Sequence, residues 1–277
     1  MPDIQMVITD MDETFMYQGG IVPEENVRAL KEAQEKGVRV LACTGRSWAM
    51  CGYLVRSFGF DQYAVTSNGA ATIDIQTGQM FDPCVVEPRF VEPIVQAALL
   101  DGCKVDLFCG AWIHTCTEHK GRWLQKAEDA CAGRPLEERI KVKQWDSMEE
   151  MLSRSREQTE LIRVEVEVGA PVPPHVAQTM EELGEFHLSV SYPGHWDICN
   201  PKAGKEVAAQ RLARQFGIER EHIMAIGDSS NDIGMIRWAG LGIAMDNAVP
   251  EVKAAADAIT GCCEEGGFAQ ALRRYIR

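Results

Sequence analysis

Four short apolar runs constrain this chain most: Met6–Thr9, Val38–Ala42, Tyr63–Thr66 and Ile223–Ile226, each one strand long and each followed by polar residues. Runs without polar alternation need both faces covered, which a parallel sheet between helices provides. The stretches between them carry helix signals. Pro23 precedes Glu24 and Glu25, and Gly37 closes the segment, the order expected where the first helical position tolerates proline and the end needs glycine. A second helix is expected from about Ser47 to Phe58, ahead of Gly59. A third is expected over Glu206–Phe216, where Ala208, Leu212 and Phe216 recur every four residues before Gly217. Leu241–Met245 adds a strand that ends at Asp246-Asn247. The expected fold class is α/β, a Rossmann-like parallel sheet core with helices on both faces.

Between about Pro83 and His195 the texture changes. Leu161–Val168 and Phe186–Tyr192 alternate as half-exposed antiparallel strands do, Lys104–Cys109 is a further apolar run, and polar helical stretches lie near 117–131 and 147–157. Pro171, Pro173 and Pro174 punctuate the segment. This reads as an inserted α+β domain over 83–195, interrupting a discontinuous core of 1–82 and 196–277.

The 277 residues carry 28 Lys+Arg against 41 Asp+Glu, a formal charge of −13. Both parts are net acidic, which argues against a basic nucleic-acid-binding surface. No run approaches the roughly 20 apolar residues of a membrane span, and Met1–Thr9 lacks a basic-then-apolar leader, so no membrane partner and a cytoplasmic location are expected. The ten cysteines include no Cys-x-x-Cys and the six histidines no His-Glu-x-x-His, so structural zinc is not expected; the cysteines read as small buried hydrophobes.

In parallel sheets the active crevice lies beyond the carboxyl ends of the strands. Four polar clusters occupy such places: Asp10-Met11-Asp12-Glu13-Thr14, Thr44-Gly45-Arg46, Lys202-Ala203-Gly204-Lys205 and Gly227-Asp228-Ser229-Ser230-Asn231-Asp232. Taken singly, Asp-x-Asp reads as a solvated turn, Thr44 as a helix N-cap and Lys205 as an exposed helix charge. Together they suit phosphoryl transfer. Asp10 and Asp228, with the backbone or side chain of Asp12, are placed to hold Mg²⁺, a hard cation that takes oxygen ligands. Asp10 would attack phosphorus, and Asp12 would protonate the leaving alkoxide and later deprotonate water. Thr44 and neighbouring N–H groups, Gly45 among them, would bind the phosphoryl oxygens, Arg46 could reach a substrate anion, and Lys205 supplies fixed positive charge. Asp228, Asn231 and Asp232 stand at i, i+3 and i+4, so one helical turn would present all three. Asn231 would contact phosphate or a metal-bound water, and Asp232 would orient Lys205 or such a water. The first strand leads into Asp-x-Asp and not Gly-x-Gly-x-x-Gly, which disfavours a dinucleotide-binding oxidoreductase.

The run DMDET resembles the Asp-x-Asp-x-Thr signature of the haloacid dehalogenase superfamily of phosphatases, and CTGR, the Lys205 region and GDSSND resemble its second, third and fourth motifs. SNGA at 67–70, IAMDNAVPEVKAAADAIT at 243–260 and EEGGFAQAL at 264–272 are similar to segments of the Cof-type branch, subfamily IIB. The resemblance implies that 83–195 is an α/β cap. It implies Asp10 as nucleophile, Asp12 as acid/base, Thr44 and Lys205 as phosphate binders and Asp228 as a metal ligand, with Asn231 and Asp232 supporting. The implied activity is Mg²⁺-dependent hydrolysis of a small phosphorylated metabolite, a sugar phosphate or a phosphorylated cofactor, through an aspartyl phosphate, by a monomer or small homo-oligomer. A phosphomutase, or a non-catalytic metabolite-binding regulator, would share the scaffold. Glu13, Glu206 and Ser229 depart from the pattern, each standing where glycine is usual. Glu13 either adds a carboxylate to the site or points to solvent. In the insertion, Trp112, His114, His119, Lys120, Arg122, Trp123, His195 and Trp196 are expected to be packing or surface residues in preference to substrate contacts.

Overall fold

The computed structural model describes residues 3–18, 20–81, 83–118, 122–135, 139–155, 161–167, 172–184, 186–192 and 195–277. The chain forms two compact units. One comprises Met1–Thr44, Leu54–Gln79 and Gly204–Arg277, and the other Gly45–Tyr53 and Met80–Ala203.

In chain order the first unit holds β1 (Met6–Thr9), α1 (Glu24–Glu35) and β2 (Arg39–Cys43). Helix α2 (Trp48–Phe58) leads to β3 (Tyr63–Thr66), β4 (Ala71–Asp74) and β5 (Met80–Phe81). Residues 48–53 of α2 and strand β5 group with the second unit, as do elements α3 to β11. The chain then returns with α7 (Lys205–Phe216), β12 (Ile223–Gly227), α8 (Ile233–Trp238), β13 (Leu241–Ala244), α9 (Pro250–Ala255), β14 (Ala258–Ile259) and α10 (Gly267–Tyr275). The sheet order is β14-β13-β12-β1-β2-β3-β4-β5. Strands β14 through β3 are parallel, and β4 returns antiparallel on β3. The central strands β1, β3 and β12 are wholly buried, as their unbroken apolar runs require, and exposure appears at the edge strand β14. Helix ends follow the glycines: Gly37, Gly59 and Gly217 have φ of 81°, 79° and 64°, a region that costs glycine no Cβ clash.

The second unit contains α3 (Pro88–Leu100), β6 (Lys104–Cys109), β7 (Trp112–Cys116), α4 (Arg122–Cys131), β8 (Val142–Trp145), α5 (Met148–Ser155), β9 (Leu161–Glu167), α6 (Pro174–Leu183), β10 (His187–Tyr192) and β11 (His195–Cys199). Its sheet runs β10-β11-β9-β6-β7-β8, antiparallel except for β7 with β8. Leu107, Val164, Val166 and Ile198 pack with Ile94, Val95 and Met180 of α3 and α6 in one apolar core. Helix α6 has no side-chain cap of its own. Asp101, just past α3, replaces it: Oδ2 accepts from the N–H groups of His175 at 2.9 Å and Val176 at 3.2 Å.

Strand β11 pairs with both β9 and β10, so residues 196–203 group with the inserted unit and the core resumes at Gly204, eight residues later than composition suggested. Trp196, Asp197 and Ile198 take part in that pairing, which a composition shift cannot register. His119, Lys120 and Pro171 lie outside the described residues, and Arg122 and Trp123 open α4. Trp112 is 39% exposed, whereas His114 and His195 are buried. None of the ten cysteines takes part in a disulfide. Among the described residues no helix is long and apolar enough to cross a membrane.

His114 faces Leu107 across β7 and β6, packs its ring 5.8 Å from that of Trp145, and is 1% exposed. Neither ring nitrogen has a hydrogen-bond partner among the described residues. Burial, aided by the charge of Lys143, pushes its pKa down to about 4. The unfolded chain, titrating near 6.5, therefore binds the proton first. The stability linked to neutral His114 is complete above that pH and lost as pH falls from about 6.5 to 4, by on the order of 1–3 kcal/mol. Urea unfolding at pH 7 and 4.5 should show His114→Phe losing less stability on acidification than the wild type. Equal losses would remove His114 as the cause.

Candidate active site

The loop after β1 is built from alternating commitments. Asp10 extends the ladder by donating its N–H to Ile226 O of β12 at 2.9 Å. Met11 and Phe15 are fully buried, and the Phe15 ring packs against Phe58, Phe60 and Phe268 at centroid distances of 5.4, 4.9 and 5.1 Å. Asn26 of α1 ties the loop down by donating from Nδ2 to Phe15 O at 2.9 Å and accepting at Oδ1 from Ala269 N at 3.1 Å. With 11 and 15 held in the core, Thr14 turns the other way and donates its hydroxyl to Asp228 Oδ1 at 2.8 Å.

Asp228 follows β12, and Lys205 opens α7. The Lys205 ammonium, 1% exposed, donates to Asp10 Oδ1 at 2.6 Å and to Asp232 Oδ1 at 2.7 Å. Asp232 Oδ2 accepts the N–H groups of Asp228 and Ser229, both at 3.0 Å. The chain comes this close because residue 227 is glycine: a Cβ there would sit 2.5 Å from Asp232 Cγ. Asp10, Asp228 and Asp232 each bring a carboxylate oxygen within 4.8 Å of the others.

Burial alone would push Lys205 down, but the Asp10 and Asp232 carboxylates outweigh it and hold the ammonium charged. Burial pushes Asp10 up, with Lys205 the strongest influence drawing it back toward the carboxylate. Asp228 is pushed up to about 6 by burial and then by the charge of Asp232. The negative charge of Asp12 is close enough to raise Asp10 further. Asp232 already accepts three protein donors, the Lys205 ammonium at Oδ1 and two backbone N–H groups at Oδ2, whereas Asp228 accepts two hydroxyls and Asp10 the ammonium, so Asp10 and Asp228 are the members of the trio with more lone pairs left for a cation.

Thr44 is buried at the end of β2, donating its N–H to Val65 O at 2.9 Å and accepting from Asn68 N at 3.2 Å. Ser67, Asn68 and Gly69 have φ of 50°, 55° and 91°, three left-handed residues in succession. Gly69 lies against the start of α7, where a Cβ would be 2.1 Å from Gly204 O. Asn231 donates its amide to Asn68 Oδ1 at 2.9 Å, so Asn68 joins the site although strand-end reasoning gave it no role. The available signal was Asn-Gly, a dipeptide that tolerates left-handed backbone. Gly45 and Arg46 begin the Gly45–Tyr53 run that groups with the second unit.

Residues 7–272 match the haloacid dehalogenase-like hydrolase family. The chain belongs to that family. It is 26% identical over 274 residues to the 5-amino-6-(5-phospho-D-ribitylamino)uracil phosphatase YcsE of Bacillus subtilis (strain 168), covering 99% of this chain and 96% of that protein. A haloacid dehalogenase-like hydrolase from B. subtilis superposes with a TM-score of 0.82 at 24% identity, over 99% of this chain and 100% of the other. The subclass IIB sugar phosphatase BT4131 does so with a TM-score of 0.78 at 22% identity over 98% of each chain. The chain is an enzyme of this phosphatase class.

Glu13, Glu206 and Ser229, where the resemblance implies glycine, are each accommodated differently. Glu13 has φ of 55°, where glycine is free of strain. Its exposed side chain turns onto its own loop, Oε1 accepting from Gln18 N at 3.1 Å, while its carbonyl accepts from Asn247 Nδ2 at 2.7 Å. Glu206 accepts from Gln210 Nε2 at 2.8 Å and lies over Gly234, whose missing Cβ would come 2.9 Å from Glu206 Oε2. Ser229 donates its hydroxyl to Asp228 Oδ2 at 3.0 Å. If the strain at residue 13 is as described, Glu13→Gly should be more stable than Glu13→Ala by about 1 kcal/mol in thermal unfolding. An alanine variant as stable as the glycine variant would contradict it.

Proposed function

We propose that this enzyme is a Mg²⁺-dependent phosphatase that hydrolyses a small phosphorylated metabolite, a sugar phosphate or a phosphorylated cofactor, through an aspartyl phosphate on Asp10. The observation that carries the reading is the buried Lys205 ammonium, shared by Asp10 and Asp232 beside the Asp228 carboxylate. Asp10, Asp12 and Asp228 would hold the cation, their oxygen donors suiting a hard ion. Such a cation supplies Lewis-acid neutralisation of the phosphoryl charge.

Lys205 engages Asp10 through Oδ1, which leaves Oδ2 as the attacking oxygen. As the Asp10 oxygen–phosphorus bond forms, the bond to the leaving oxygen breaks and Asp12 gives that oxygen its proton. Water then attacks the aspartyl phosphate, Asp12 takes the water's proton, and phosphate leaves with Asp10 restored. Thr44, followed in the chain by Gly45 and Arg46, binds the phosphoryl oxygens, and Lys205 stabilises their developing charge. Asn231 contributes its amide from its place beside Asn68. The inserted 83–195 segment, the cap of the family pattern, is assigned the choice of leaving group. The names of the relatives, a phosphorylated ribitylamino-uracil phosphatase and a sugar phosphatase, support a small polyol-like ester. Ten cysteines outside any disulfide fit a reducing cytoplasm.

With p-nitrophenyl phosphate and Mg²⁺, the wild type should release inorganic phosphate. Asp10→Asn should lower the rate by about 10³-fold or more, and EDTA should abolish activity until Mg²⁺ is restored. Activity indifferent to both treatments would refute the mechanism.

A further inference from the structure

We infer that Asn68 is a positioning residue that turns the Asn231 amide so that one of its N–H bonds is presented to the bound phosphoryl group. The inference rests on the reading of Asn231 as a phosphoryl contact and concerns what sets the direction of that side chain.

Two features of residue 68 call for a common cause. Its backbone is left-handed, with φ of 55° between Ser67 at 50° and Gly69 at 91°, a conformation that a side chain makes costly. It is also 1% exposed. Glycine would take the same backbone without strain, so what asparagine adds at this position is the amide itself. That amide reaches a residue 163 positions away: Oδ1 accepts from Asn231 Nδ2 at 2.9 Å.

The contact is held from both sides. Asn68 N–H donates to Thr44 O at 3.2 Å, and the neighbouring Gly69 lies so close to Gly204 that a Cβ would be 2.1 Å from its carbonyl oxygen. Asn231 lies in the turn Ser230–Asp232, closed by the capping box of Ser229 and Asp232, and Asp232 Oδ1 is bound by Lys205 at 2.7 Å. Backbone anchors of this kind fix the Cα of Asn231 but not the rotation of its amide, since that last torsion is broad and roughly two-fold. The Asn68 oxygen supplies the missing constraint. With one Nδ2 hydrogen given to Asn68, the other remains as a donor, whereas a flipped Asn231 amide would set its oxygen against the Asn68 oxygen. At the oxygen end nothing does the same work, because Asn231 Oδ1 is buried without a hydrogen-bond partner among the described residues. The direction matters because phosphoryl oxygens only accept: an N–H turned toward them binds, and a carbonyl oxygen repels.

The test is a double-mutant cycle on the full-length enzyme with p-nitrophenyl phosphate and Mg²⁺, reading kcat, KM and the inhibition constant of inorganic phosphate. Asn68→Gly, which keeps the left-handed backbone and relieves its strain, should melt near the wild type. It should raise KM and the phosphate inhibition constant about tenfold, the order of one charge-assisted hydrogen bond, and change kcat less. Asn231→Ala should raise both constants at least as far, and adding Asn68→Gly to it should cost nothing more. A loss of the same size from Asn68→Gly in both backgrounds, or no loss from it in either, overturns the inference while leaving Asn231 as a phosphoryl contact. An Asn231→Ala enzyme that behaves as the wild type, or a wild type that releases no phosphate, overturns the underlying reading and the inference with it.

Discussion

The Lys205 ammonium is the charge around which the rest of the site is arranged. An ion of this kind, 1% exposed, is tolerated only when paired and hydrogen-bonded, and two carboxylates meet that need at 2.6 and 2.7 Å. Those carboxylates come from residues 10 and 232, in the segments that follow the neighbouring parallel strands β1 and β12. One buried cation thus fixes the loops that follow two central strands and the first residue of α7. Without the cation, Asp10 and Asp232 would both be buried anions in reach of Asp228, an arrangement that burial and mutual repulsion oppose.

Close backbone approach is the second requirement, and the chain meets it with glycine at few positions. Gly227 lets Asp232 fold back onto the end of β12, and Gly69 lets the 67–69 loop rest against the start of α7. Ser67 and Asn68 stay left-handed without glycine's freedom, and what holds Asn68 is visible: its N–H reaches Thr44 O and its side chain receives Asn231. Strain of this kind persists where surrounding contacts over-determine it, and here it joins the second and fourth polar clusters of the sequence.

What was legible in the sequence follows from which interactions are local. Strands β1 and β3 match their apolar runs residue for residue, and α1 and α7 begin and end within a residue or so of their proline and glycine signals, because those signals act within one turn. The reacting groups were legible because they sit directly after such runs. The roles of Phe15, Asn26, Asn68 and Asp101 were not. Each depends on a partner far along the chain: Phe268 for Phe15, Ala269 for Asn26, Asn231 for Asn68, and the start of α6 for Asp101. In the second unit β7 and β8 lack clean alternation, with buried His114 paired to half-buried Lys143, and α3 carries Pro93 inside it. Pairing and packing decide those elements, overriding local preference.

The three positions at which the resemblance implies glycine show how the same kind of substitution can differ in consequence. Glu13 alters backbone energy, but its carboxylate is spent on Gln18 N–H; Glu206 is accommodated by Gly234 and engages Gln210. Neither side chain has a hydrogen bond to Asp10, Asp228, Asp232 or Lys205 among the described residues. Ser229 differs because its hydroxyl lies in the continuous chain Thr14–Asp228–Ser229–Asp232–Lys205–Asp10. A side chain inserted into such a chain changes how its neighbours present their lone pairs, even though it carries no charge. A formal charge beside the site, as at Glu13, is chemically quieter than a neutral hydroxyl within the network.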